Sequence, residues 1–333
     1  MKLTVVGAGA FGTAMAVVAA RCGHEVMMWA HDPAVADEIS VRRTNLGYLP
    51  EASFDDRIEA TSDLGRAASF SDTLVMVVPS HHYRTVLESI GESLSGPVRI
   101  VSATKGIENE SLERMSQVSA GVLGGKLAQY AVLSGPTFAL ESVRGDPTTA
   151  VIASSDADFA TEIQRTLSDT FFRLYRSEDV VGVELAGSLK NIIAIAAGVV
   201  EGLGLGSNTT AALVTRGLHE IRRLGLALGG RPETFAGLAG MGDLVLTCTG
   251  SLSRNRRVGA DLGRGKLLGE ILDETKFVAE GVRTCKSAKE LSDLHGIEMP
   301  ITAEMFRVLY ENEAPRAALQ RLMSRSLKSE VGS

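Results

Sequence analysis

The chain has 333 residues, 44% apolar and 22% charged, with 34 Lys and Arg against 40 Asp and Glu for a formal charge of −6. That length predicts two domains, the apolar fraction excludes wholesale disorder, and the negative balance argues against nucleic acid as a partner. Cys22, Cys248 and Cys285 are too few and too scattered for a disulfide framework or a zinc site, so no metal is expected.

Met1-Lys2 runs straight into Leu3–Val6 and a glycine, which is too short for the apolar region of a signal peptide. Later apolar runs are cut by Gly or a charge before the roughly 18–20 residues a membrane span needs. A cytoplasmic protein with no membrane insertion is the expectation. β-rich runs predict strands at Leu3–Val6, Glu25–Trp29, Thr73–Val78, Val98–Ser102, Tyr130–Leu133, Thr148–Ala153 and Phe171–Tyr175. Helical patterns such as Phe11–Arg21 and Pro33–Arg43 fall between them. Alternating strand and helix predicts an α/β domain with an open, doubly wound parallel sheet. From Asp179 the pattern becomes helical, first to Gly202, then over Ser207–Leu228 up to the stop signals Gly229-Gly230 and Arg231-Pro232. Further helices are predicted at Arg256–Leu262, Thr284–His295 and Ile301–Tyr310. The chain therefore reads as a dinucleotide-binding domain over 1–178 and an all-helical substrate-binding and catalytic domain over 179–333.

Gly7-Ala8-Gly9-Ala10-Phe11-Gly12 is a G-x-G-x-x-G placed between the first strand and a helix-forming run, the context of a Rossmann-type nucleotide site. Gly7 permits the tight turn, Gly9 admits a pyrophosphate to the backbone, and Gly12 allows close helix–strand packing. Adenosine preference is set at the end of the second strand, here Trp29-Ala30-His31-Asp32. His31 can face a 2′-phosphate when protonated, whereas Asp32 can favour NAD or simply cap a helix that starts at Pro33. NADP(H) and NAD(H) both remain open.

Further motifs follow in order: Thr104-Lys105-Gly106, Leu133-Ser134-Gly135-Pro136-Thr137-Phe138-Ala139, Glu184-Leu185-Ala186-Gly187-Ser188-Leu189-Lys190-Asn191, Gly240-Met241-Gly242-Asp243-Leu244, Ser253-Arg254-Asn255-Arg256 and Val278-Ala279-Glu280-Gly281. Together they resemble the bacterial NAD(P)-dependent glycerol-3-phosphate dehydrogenases, from Gly7 to about Pro300. The resemblance implies cofactor contacts at Ala10, Phe11, Lys105, Ala139, Arg254, Val278 and Glu280. It implies glycerol 3-phosphate contacts at Lys105, Gly135, Thr137, Lys190, Asp243, Ser253, Arg254 and Asn255, with Lys190 as proton acceptor. It also implies a small phosphorylated substrate, a homodimer and a role in phospholipid synthesis. Where the family usually carries Arg after the second strand, this chain has His31.

The same residues carry a physical reading of their own. Lys190 lies in an apolar helix, so it either snorkels outward or is desolvated, which lowers its pKa and lets it accept a proton. Asp243, in a glycine-bearing loop, can hold a substrate hydroxyl, tune Lys190 or cap a helix. Ser253, Arg254 and Asn255 gather donors before a helix, an arrangement that suits a phosphate. His81-His82 is read as a helix start beside the cleft, not as catalytic, and Cys248 as a structural thiol. Two rival functions share the layout: a β-hydroxyacid dehydrogenase, which typically carries Asn four residues after its lysine where this chain has Ala194, and a non-enzymatic NAD(H) sensor.

Overall fold

The computed structural model describes residues 1–274, 279–327 and 329–330. Eight strands form one sheet: β1 (Lys2–Val6), β2 (Glu25–Trp29), β3 (Ile58–Thr61), β4 (Thr73–Met76), β5 (Val98–Ser102), β6 (Leu127–Ser134), β7 (Thr148–Ala153) and β8 (Phe172–Ser177). Their order is β3-β2-β1-β4-β5-β6-β7-β8. The order reverses between β1 and β4, and ligands of such sheets bind outside the strand C-termini at that reversal.

Successive residues of the central strands serve two cores. Val5 and Val75 pack with Ala14 and Met15 of the helix Ala10–Arg21, while Val6, Leu74 and Met76 pack with Tyr83 and Leu87 of the helix Ser80–Ser93. Burial on both faces is why these strands are apolar throughout instead of alternating. Two expectations need correction. The sequence reading passed over β3, whose Glu59 breaks the apolar run and whose pairing with β2 supplies what its composition lacks. The sheet is also not wholly parallel, because β7 runs antiparallel to β6. Their connection holds only the six-residue helix Ala139–Arg144, so the chain turns back along the sheet edge without crossing over it.

The helix Val180–Gly202 is the centre of the remaining, helical part. Every residue from Gly182 to Val200 is buried, so its apolar character runs all round instead of along one stripe. It is the one described helix long and apolar enough to cross a membrane, yet 89% of its apolar window is buried inside the protein. Near its start, Glu184 accepts hydrogen bonds from Arg114 Nη1 (2.6 Å), Ser116 N (2.7 Å), Ser116 Oγ (2.6 Å) and Tyr130 Oη (2.7 Å). These bonds tie the helix to β6 and to the start of the helix Met115–Leu123.

Across the other side of Val180–Gly202 runs the helix Arg254–Gly263, in backbone contact. A Cβ on Gly198 would lie 1.9 Å from the Arg256 carbonyl oxygen, and one on Gly259 1.8 Å from that of Ile195. Gly202 and Gly263 repeat the arrangement one turn on, with 2.2 Å to Ala260 O and 2.6 Å to Val199 O. Each helix thus presents two glycines four residues apart, which lets the main chains touch.

Candidate active site

At the end of β1 the glycine loop has the shape a dinucleotide needs. Gly7 adopts φ +115°, and a Cβ there would lie 2.6 Å from Val77 O; one on Gly12 would lie 1.8 Å from Gly7 O. Gly9, by contrast, has nothing within 4 Å of its Cβ position. The helix Ala10–Arg21 has no side-chain cap, so its first-turn N–H groups at Ala10 and Phe11 face that open space with the positive end of the helix dipole. These residues fit a pyrophosphate.

At the end of β2, Asp32 caps the helix Pro33–Asp37 by accepting from Ala34 N at 2.9 Å. Of the two alternatives, the capping role is the one the structure displays. His31 is exposed, with its ring 5.9 Å from that of Trp29 in an edge-on arrangement. His31→Arg is therefore expected to improve kcat/KM for NADPH more than for NADH, because Arg keeps its charge at every working pH. An NADPH-to-NADH ratio equal to that of the parent would remove His31 as a discriminator.

The cluster at the cleft floor is built from three distant segments. Lys190, 6% exposed, donates to Asp243 Oδ1 at 2.7 Å and to Thr247 Oγ1 at 2.6 Å. Lys105, just beyond β5, donates to Asp243 Oδ2 at 2.8 Å and to Gly135 O at 3.3 Å. One carboxylate is thus shared by two ammonium groups. Desolvation lowers the Lys190 pKa to about 8; Asp243 opposes the shift, and the like charge of Lys105 adds to it. Burial raises the Asp243 pKa, but the two lysines overcome that and hold it below the usual carboxylate range.

Asp243 is not in a loop, as its glycine neighbours suggested. It opens the helix Asp243–Thr249, directly after a π-helical turn over Leu238–Gly242. One helical turn on, Thr247 donates to the Asp243 carbonyl at 2.6 Å and presents its oxygen to Lys190. Sequence reasoning passed over Thr247; the signal was the i, i+4 spacing, visible only once 243–249 is known to be helical.

The phosphate-suited donors stand beside this cluster. Ser253 caps the helix Arg254–Gly263, accepting from Arg256 N at 3.2 Å. Buried Asn255 donates to Asn191 Oδ1 at 3.0 Å and accepts from Gly281 N at 3.0 Å. Since Asn191 follows Lys190 and Asn255 follows Arg254, that amide pair links the part of Val180–Gly202 that carries Lys190 to the start of Arg254–Gly263. Arg254 is exposed there, with Glu280 as its neighbouring anion. Glu280 accepts from Ser80 N (2.9 Å) and Ser80 Oγ (2.6 Å) at the start of Ser80–Ser93, and burial raises its pKa.

Gly135 sits after β6 at φ +148°, and its carbonyl also accepts from Thr137 Oγ1 at 3.1 Å. Ala139 begins the helix that packs against Ala10–Arg21. Val278 lies outside the described residues. His81 and His82 occupy the first turn of Ser80–Ser93 with rings 4.0 Å apart, and burial, then Arg283 and His82, lower the His81 pKa to about 4. Burial pushes the Cys248 thiol up to about 12, which leaves it un-ionised near neutrality.

Residues 2–160 match the family model described as NAD-dependent glycerol-3-phosphate dehydrogenase N-terminus, and 179–320 match that of the C-terminus. The chain belongs to the glycerol-3-phosphate dehydrogenase family. It is 48% identical over 332 residues to the glycerol-3-phosphate dehydrogenase [NAD(P)+] of Geobacter metallireducens and 49% over 333 residues to that of Koribacter versatilis. Each alignment covers 99% of both chains. The crystal structure of glycerol-3-phosphate dehydrogenase from Coxiella burnetii superposes with a TM-score of 0.93 at 39% identity, covering 97% of this chain and 99% of that one. Membership of this family sets aside both rival functions and gives the chain a nicotinamide cofactor, NAD(H) or NADP(H).

Proposed function

We propose that the chain catalyses the reversible NAD(P)H-dependent reduction of dihydroxyacetone phosphate to sn-glycerol 3-phosphate, the backbone precursor of glycerophospholipids. The observation that carries this reading is the Lys190–Asp243–Lys105 cluster set one amide pair away from Arg254. When bound, the nicotinamide supplies or takes the hydride.

The protein's part is to hold the substrate and move a proton. In the reduction direction, Lys190 Nζ donates to the carbonyl oxygen of dihydroxyacetone phosphate as it becomes an alcohol. In oxidation, neutral Lys190 accepts the hydroxyl proton, a role its pKa of about 8 permits near neutrality. Asp243 keeps the lysine in place and compensates its charge. Lys105 adds a second positive charge from the sheet side, with Gly135 and Thr137 forming the adjoining wall. Ser253, Arg254 and Asn255 bind the phosphate at the helix start, where backbone N–H groups and the dipole add to the guanidinium.

Arg254→Ala is expected to raise the KM for dihydroxyacetone phosphate at least about tenfold, the low end of the ~1.5–3 kcal/mol that a hydrogen bond to a charged group contributes. A KM within twofold of the parent would take the phosphate away from Arg254. The reaction itself is tested by turnover of dihydroxyacetone phosphate with NADH and NADPH, alongside a 3-hydroxy acid with each oxidised cofactor. Turnover of the acid alone would overturn the assignment. The remaining parts of the proposal are a cytoplasmic location, a homodimer, and a domain division after residue 178, where β8 ends and Val180–Gly202 begins.

A further inference from the structure

Asn45 follows the helical segment after β2 and is completely buried, although nothing in its sequence surroundings marks it out. Its Nδ2 donates to the Ala8 carbonyl in the middle of the glycine loop at 2.9 Å and to Thr13 Oγ1 in the first helix at 2.8 Å. A carbonyl can only accept, so the bond to Ala8 fixes which end of the amide is nitrogen. Oδ1 is then left buried with no hydrogen-bond partner. An unsatisfied buried acceptor weakens a fold, so this amide is retained at a cost in stability. The turn around Asn45 is held in turn, because Leu49 N donates to the Asn45 carbonyl at 2.8 Å.

The consequence lies in the geometry of a trans peptide, whose C=O and N–H point in opposite directions. Drawing the Ala8 carbonyl onto Asn45 turns the Gly9 N–H the other way, and the space at Gly9 is the open space of the loop. We propose that Asn45 is a positioning residue for the cofactor: it holds the Ala8–Gly9 peptide in the orientation that presents the Gly9 N–H to a pyrophosphate oxygen. This rests on the glycine loop being the cofactor site.

Asn45→Asp keeps the shape and sets an oxygen against the Ala8 carbonyl, while Thr13 can still pair by donating its own hydroxyl. Cofactor binding is read from quenching of Trp29, the chain's single tryptophan, which lies at the end of β2. The expected result is a rise of about tenfold or more in Kd for NADH and NADPH alike. At saturating cofactor, kcat and the KM for dihydroxyacetone phosphate should stay within about threefold of the parent. A general loosening of the fold would lower kcat as well. Asn45→Ser, which also loses the bond to Ala8, serves if the aspartate variant does not fold. A folded variant with cofactor Kd within twofold of the parent, or one losing kcat as much as affinity, overturns the proposal. Gly9→Val provides the separate check on the site: if it leaves cofactor binding intact, the glycine loop is not the cofactor site. If it abolishes binding while Asn45→Asp does not alter it, only the role of Asn45 fails.

Discussion

Lys190→Met should fold, bind NAD(P)H with the parent's affinity, and lose about 10²–10⁴ in kcat in both directions, the range for removing a positioned acid–base group. Met matches the lysine's length and suits the apolar neighbours that already surround the stem, in a helix buried from Gly182 to Val200. Lys190→Arg should not restore activity, since a guanidinium does not release its proton near neutrality. The pH dependence carries its own sign. Reduction needs the ammonium form, so its rate should fall as pH rises through about 8; oxidation needs the amine and should rise over the same interval. Fluorescence titration of the cofactor beside steady-state turnover decides the matter. A Met variant retaining more than about a tenth of the parent kcat, above the range for acid–base loss, would show that Lys190 is not the proton relay.

Asp243→Asn should be nearly as severe, by a different route. The carboxylate accepts from Lys190 and Lys105 at once, and with it gone two cations face each other with no anion between them. Breaking one side of a buried ion pair typically costs ~3–5 kcal/mol, so the melting temperature should fall clearly. The more telling change is in the pH profile. The anion is what opposes desolvation at Lys190, so its removal must lower the lysine's pKa below about 8. The fall in reduction rate should therefore move to lower pH, together with a drop in kcat at neutrality as the amine fraction grows. A profile with its alkaline limb unmoved would mean that Asp243 does not tune Lys190.

The glycine loop was legible because its turn and spacing are local, with Gly12 lying against Gly7 O, although the closeness of Gly7 to Val77 is a contact the sequence did not announce. The long apolar run that became Val180–Gly202 was legible for the same reason. Pairings between distant segments were not. Nothing local to Lys190 announces Asp243, 53 residues on, and Glu184 finds its partners 68 and 70 residues back in Ser116 and Arg114. Asp243 itself was misplaced because Gly240 and Gly242 read as a loop, whereas packing winds that stretch into a π-helical turn feeding a helix. Strand β3 escaped because only its neighbour β2 makes it a strand. At Asp32 both readings were written in the sequence, and its bond to Ala34 N displays the capping one. The family motifs brought the dispersed site residues together where local physics could not.

The crossing of Val180–Gly202 over Arg254–Gly263 acts as a ruler of fixed length. One helix carries Lys190, the proposed proton relay, and the other begins at Arg254, the proposed phosphate anchor, and glycine lies against backbone where they meet. Side chains elsewhere can trade volume with their neighbours and let a spacing drift by tenths of an ångström. Here there is no side chain to trade, so the span from Nζ to the phosphate donors is written into main-chain contact alone. Changes of substrate size in descendants of this chain would have to come from the rim residues around the cleft, because the gauge between its two working ends does not adjust in small steps.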